Sequence, residues 1–218
     1  MPRALRRIAF YVGTAGVLAT PLVGCALSVK GMSAAECVVL PDGDRVSMSS
    51  VVRSTPYATA FAASGTLALA ALTDALTEYD TTLSGRSLAC AAFLAFLVPF
   101  AVPIDAAGSV ESLGDASATS WAHAAGALLG CFCLWVFSFR LTQKDMNVAA
   151  LTVFAMYTAS AGVAITGTSM DALRTEGAAR QLVQYGTLYG EFGAAGATLG
   201  LFNYVTRDSG KRGKLFNL

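Results

Sequence analysis

Two ionisable side chains fall inside stretches of this chain that are otherwise apolar: His123, within 118–139, and Glu191, within 183–205. An imidazole or carboxylate held in hydrocarbon is costly, so both are expected to face a helix bundle and to be partnered there. A His–Glu pair of that kind could bind a polar headgroup, or exchange a proton, beneath the outer surface. The competing reading is an interhelical hydrogen bond worth about 1 kcal/mol that merely orients two helices. Asp74 is a third candidate. With Glu78 and Asp80 following, it reads as boundary material that water can reach. Asp105 is read in the same way on the other side.

Other chemistries lack their residues. The chain holds one histidine in 218 residues, which excludes a bis-histidine haem protein and argues against a histidine metal site. No phosphate loop, zinc cluster or nucleophile elbow is present, so neither a metal nor a cofactor is expected. A net charge of +1, with no basic patch interleaved with aromatics, gives no nucleic-acid signal.

The elements that must position His123 and Glu191 are membrane helices. Hydrophobic residues make up 55% of the chain and charged ones 13%, too apolar a balance for a soluble domain of this size. In 183–205, Gly186, Gly190, Gly193, Ala197 and Gly200 recur at steps of four and three, which puts them on one helical face. In water such a stripe weakens a helix; in a bilayer it lets a neighbouring helix approach closely. His123 shares a face with Gly126, Ala127 and Gly130, a second place for close approach.

The hydropathy pattern predicts an all-α fold: a single transmembrane domain spanning 1–218, built as a six-helix bundle. Its spans are 8–28, 56–79, 88–107, 118–139, 147–168 and 183–205, with a long polar outer loop at 29–55. Arg3, Arg6 and Arg7 followed by an apolar run could also be a secretory signal, and Leu22-Val23-Gly24-Cys25 mimics a lipoprotein cleavage box. The run is long for a signal core, which favours a retained first helix. Pro41-Asp42-Gly43-Asp44 is a turn signal, and a short strand pair could flank it. Ser54 or Thr55 before Pro56 suits a helix start. Pro99 and Pro103 should kink or end the third helix.

Six spans put both termini on one side. Ten basic residues (Arg3, Arg6, Arg7, Arg86, Arg140, Lys144, Arg207, Lys211, Arg212 and Lys214) fall on that side, against five (Lys30, Arg45, Arg53, Arg174 and Arg180) on the other. The excess predicts cytoplasmic termini. Cys90, Cys131 and Cys133 read as small packing residues inside spans. Cys25 and Cys37 could form a disulfide in an oxidising lumen or stay as free thiols. Trp121, Tyr11, Tyr57, Tyr79 and Tyr204 lie near span ends, where an aromatic belt accounts for most of them.

His123-Ala124-Ala125-Gly126-Ala127-Leu128-Leu129 and Gly190-Glu191-Phe192, followed by an aromatic cluster and Asp208, resemble motifs of the damage-regulated autophagy modulator family. That family groups with the Sfk and Frag membrane proteins. The six-span layout with a long first outer loop is similar as well. The chain departs from the family at 47–53, where the Ser-Asp-Thr-Gly-type motif is missing. The resemblance implies a protein of the lysosome, Golgi or plasma membrane, linked to autophagy, lipid-anchor maturation or phospholipid distribution.

Three functions are therefore weighed. The leading one is a non-enzymatic protein that binds or organises membrane lipids through His123 and Glu191. The second is a structural accessory subunit that meets other membrane subunits through its small-residue faces, in which case the stripe of 186–200 should face another chain. The third is a small transporter or proton-coupled channel, although no internal repeat is visible. An enzyme would need a nucleophile or metal constellation that a single histidine makes difficult.

Overall fold

The computed structural model describes residues 1–29, 57–102, 117–171 and 178–207. Among these, the fold is entirely helical: α1 (Arg3–Val29), α2 (Tyr57–Tyr79), α3 (Leu83–Ala101), α4 (Ala118–Asp145), α5 (Val148–Asp171) and α6 (Ala178–Val205). Three of these, α2, α3 and α4, are long and apolar enough to cross a membrane, and α5 adds a shorter apolar stretch, Val148–Ala164. The Pro41–Asp44 turn, Cys37, Asp105 and the Ser54–Pro56 helix start lie outside the described residues.

Several helix ends differ from the pattern in the sequence, each for a local reason. The first helix starts at Arg3 rather than Ile8, because its basic residues find partners on α2. The third runs 83–101 rather than 88–107. The Thr82 hydroxyl accepts the Gly85 N–H at 3.1 Å and caps its start. Its end comes at Val102, which is extended (φ −110°, ψ 120°) as expected of a residue preceding proline. Pro99 is absorbed within the last turn. The fourth helix continues past Phe139 to Asp145 and closes on Met146 in the left-handed region (φ 46°). Asn147 then caps α5 by accepting the Ala150 N–H at 2.9 Å.

Successive helices run antiparallel, and each of the hairpins α1–α2, α3–α4 and α5–α6 packs most extensively within itself. Small residues zip these pairs together. A Cβ added at Gly13 would lie 2.5 Å from the Ser64 carbonyl oxygen of α2. One at Gly126 would lie 2.8 Å from the Ala95 carbonyl oxygen of α3, and one at Gly190 2.6 Å from the Ala164 Cβ of α5. Such approaches leave no room for a side chain.

Larger side chains join the hairpins to one another. Phe10 of α1 stacks on Phe202 of α6 with ring centroids 3.7 Å apart, and Leu72, Leu76, Leu134, Phe137, Leu141 and Leu201 are fully buried in the same core. Arg7 Nη2 donates to the Thr206 carbonyl at 3.1 Å, so the start of α1 and the end of α6 lie at one end of the bundle. That end also holds the α2–α3 and α4–α5 turns.

Candidate functional site

The interior polar residues fall at two levels. At the first, away from the α1 start, His123 is buried on α4 and its Nδ1 lies 2.8 Å from the Val102 carbonyl oxygen. A carbonyl can only accept, so the ring carries its proton on Nδ1. Val102 closes α3, and its carbonyl belongs to the last turn, where helical donors run out. The lone histidine thus ties the end of α3 to α4, and Gly126, one turn on, allows the two backbones to approach. Gly130 repeats this against the Phe96 ring, 2.6 Å from an added Cβ.

Glu191 is half-buried near the middle of α6. Tyr189, two residues earlier, is 57% exposed, and two residues turn a helix by about 200°. Glu191 therefore lies on a different face from Tyr189, flanking the buried Gly190, and it is within electrostatic reach of Cys131 on α4. Cys131 and His123 are eight residues apart on α4, about 12 Å along its axis. His123 is thus anchored on α3, while Glu191 meets α4 nearer the middle of the bundle.

The stripe on α6 faces the chain's own α5. Gly190 meets Ala164 and Ser160, Gly193 meets Ser160, Gly196 has Met156 at 3.6 Å and Gly200 has Val153 at 3.4 Å from an added Cβ. Gly186 is buried. Beside this contact, the Tyr157 hydroxyl lies 2.7 Å from the Thr198 hydroxyl. Of the cysteines, Cys133 sits in the core and Cys131 is half-buried, but Cys90 is exposed on α3, which does not suit the packing role expected of it. Cys25 lies on α1, and its proposed partner Cys37 is outside the described residues.

The second level is the end where α1 begins, and it is more elaborate than the sequence suggested. Arg6 is buried and reaches two α2 carboxylates one turn apart. Its Nε lies 2.6 Å from Asp74 Oδ2 and its Nη2 bonds Glu78. The Nε–Oδ2 contact is not aligned as a hydrogen bond, so it acts as charge attraction. Asp74, expected where water can reach it, keeps about a third of its side chain exposed and is also paired, the Met1 amino group adding a 3.3 Å contact.

In the α2–α3 turn, Asp80 Oδ1 accepts the Thr82 N–H at 3.1 Å and its hydroxyl at 2.7 Å. Oδ2 accepts Arg140 Nη2 of α4 at 3.2 Å. A side chain at Gly85 would collide with the Asp80 carboxylate. Burial by itself would raise the Asp80 carboxyl above its ordinary pKa. The Thr82 bonds, with Arg140 and Lys144 nearby, outweigh burial and hold it below that value.

Asp145 accepts hydrogen bonds from the Tyr79 and Tyr204 hydroxyls, and Asn147 donates to Tyr204 at 2.6 Å. Tyr204 is 4% exposed, so it is an interior clamp rather than part of an aromatic belt. Only charge spacing hinted at these knots: Asp74 and Glu78 four residues apart, and three arginines within Arg3–Arg7.

No group of three or more histidine, cysteine or acidic residues able to hold a metal occurs among the described residues. Compared with protein-family models, curated proteins and solved structures, the chain matches none. Its function has to be argued from its own geometry.

Proposed function

We propose that the chain is a six-span integral membrane protein that binds or organises lipid, with both termini in the cytoplasm. In this reading Glu191 is the polar contact for a lipid headgroup inside the bundle, and His123, held on the Val102 carbonyl, is a second polar residue at another level. The observation that carries it is the setting of Glu191: a partly buried acid near the middle of an apolar helix, close to Cys131 on α4, on a helix whose glycine face is already used by α5. A carboxylate kept at such a place is a functional candidate by default. Apolar side chains such as Leu94, Leu128, Phe132 and Leu151 are exposed on the outside of the helices, as contact with acyl chains requires. The ten basic residues assigned to the α1-start side support cytoplasmic termini. The likeness to the damage-regulated autophagy modulator family, carried by residues 123–129 and 190–192, belongs to this proposal, as does an endomembrane or plasma-membrane location.

Native mass spectrometry of the protein extracted gently from its own membrane tests the reading. A lone chain retaining phospholipid, and losing it in Glu191→Ala, is expected. Retention that is indifferent to Glu191→Ala refutes it.

A second reading, an accessory subunit, lacks the sign expected of it, since the stripe of 186–200 meets the chain's own α5, but one other feature favours it. An open groove of about 710 Å³ runs along α2, lined by Ala58, Thr59, Ala62, Ala63, Thr66, Leu67, Ala70 and, from α3, Phe100. Small residues on an outward face suit a helix from another subunit. A stable complex with other membrane proteins in the same spectrum is its signature.

A further inference from the structure

α1 opens on Arg3, Arg6 and Arg7 and carries no acid in its first turn, although the dipole at a helix start favours negative charge. The three arginines meet different neighbours. Arg6 is buried and neutralised by Asp74 and Glu78 of α2. Arg3 and Arg7, four residues apart, share an outward face. Arg3 reaches Glu78 only at 3.7 Å and keeps 76% of its side chain exposed. Arg7 is exposed, and among the described residues its partner is a neutral one, the Thr206 carbonyl at the end of α6. The other acids at this end are already held, Asp80 by Arg140 and Thr82, Asp145 by Tyr79 and Tyr204.

Below Arg7 the two helices are fastened to each other. Tyr11, one turn further along the Arg3–Arg7 face, donates to Asn203 of α6, and Phe10 stacks on Phe202 behind it. Arg207, also exposed, follows Thr206 and lies four residues beyond Asn203. The seam between α1 and α6 thus has a fixed floor, with Arg3, Arg7 and Arg207 at its mouth. Ile8 and Val12, 60% and 59% exposed, continue it as an apolar strip toward the middle of the molecule.

The Thr206 carbonyl takes one of the five donors of the Arg7 guanidinium. If capping α6 were all that Arg7 did, the positive charges beside it would only weaken the arrangement, since like charges a turn apart repel. A phosphodiester turns that repulsion into attraction, and a guanidinium fits two of its oxygens at once.

We infer that this seam seats the phosphate of an anionic phospholipid in the leaflet at the α1-start end. Arg7 and Arg207 hold the phosphate between them, Arg3 adds its charge, and the acyl chains lie over Tyr11, Ile8 and Val12. A phosphate anchored to acyl chains, rather than a free one, is what the contiguous apolar strip fits. The site rests on the membrane reading of the helices but not on Glu191, which stands near the middle of α6.

Native mass spectrometry of the full chain, titrated in detergent with dioleoylphosphatidylserine or dioleoylphosphatidylcholine, tests the site. Wild type is expected to prefer the serine lipid. Arg7→Gln should weaken binding of that lipid about fivefold, the size expected of one basic residue at a lipid surface. Arg86→Gln, which removes an exposed charge at the same end but on α3, should leave it unchanged. Equal losses in the two variants, or no preference in wild type, overturn the site. Displacement of the serine lipid by excess inorganic phosphate overturns the lipid assignment in favour of a free-phosphate site. Should Arg7→Gln not fold, Arg3→Gln carries the test, and it must weaken the serine lipid more than Arg86→Gln does. Glu191→Ala should leave the preference intact while removing the lipid carried through extraction, so either reading can fail alone.

Discussion

Asp80 shows how much one residue can organise here. Its carboxylate ends α2, caps the turn into α3 through Thr82, and holds α4 through Arg140. Because its folded pKa lies below its unfolded one, the stability it supplies is present above about pH 4, the ordinary aspartate value, and is lost as pH falls through the lower folded value. Asp80→Asn should lower the melting temperature at pH 7, at a cost of about 1–3 kcal/mol for leaving Arg140 and Thr82 poorly paired. The gap between wild type and variant should close in strongly acidic buffer. A thermal-melt series in detergent from pH 7 to pH 2 checks this, and a gap constant with pH would contradict it. His123 was legible as a buried polar residue, but its Val102 partner was not. That partner sits at a helix end created by Pro103, and the geometry of the break decides which carbonyl is presented.

At the scale of the helices, glycines rather than apolar stripes fix the pairing. Gly190 and Gly196 lie on the same helix, yet an added Cβ would be 2.6 Å from Ala164 at one and 3.6 Å from Met156 at the other. Gly190→Val should force α5 and α6 apart and destabilise by about 1–3 kcal/mol, whereas Gly196→Ala should be neutral or slightly stabilising. Parallel melts of the two variants test this; equal effects would mean that the hairpin is not zipped at Gly190. The step pattern of residues 186–200 revealed the close face, but not that α5 was what it met. Nothing in 13–16 stood out in the sequence, although Gly13 makes an equally close approach to α2. Two isolated glycines in an apolar helix carry no periodic signal.

For the whole molecule, two buried phenylalanines in different surroundings predict different sensitivities. Phe202 is fully buried and stacked between Phe10 and the edge of Tyr11, so Phe202→Ala should cost about 3–5 kcal/mol. Phe61, buried in a satellite of half-exposed neighbours, should cost clearly less on truncation, because its site can relax. Chemical-denaturation or thermal-melt comparison of the two alanine variants checks the ranking, and its reversal would contradict this difference in packing.

Apolar composition and the length of the apolar runs determined, without any structure, that the chain is helical and belongs with membranes, since only helices satisfy their own backbone over such stretches. They also located each described helix, with ends displaced by up to six residues. Periodicity further showed which faces of α4 and α6 are close-packed. The tertiary structure alone decided which helices share those faces and that Arg6, Asp80 and Asp145 are tied across helices. Those contacts join residues far apart in the chain, Arg6 to Asp74 or Tyr79 to Asp145. Their distances depend on how three hairpins dock rather than on any local pattern.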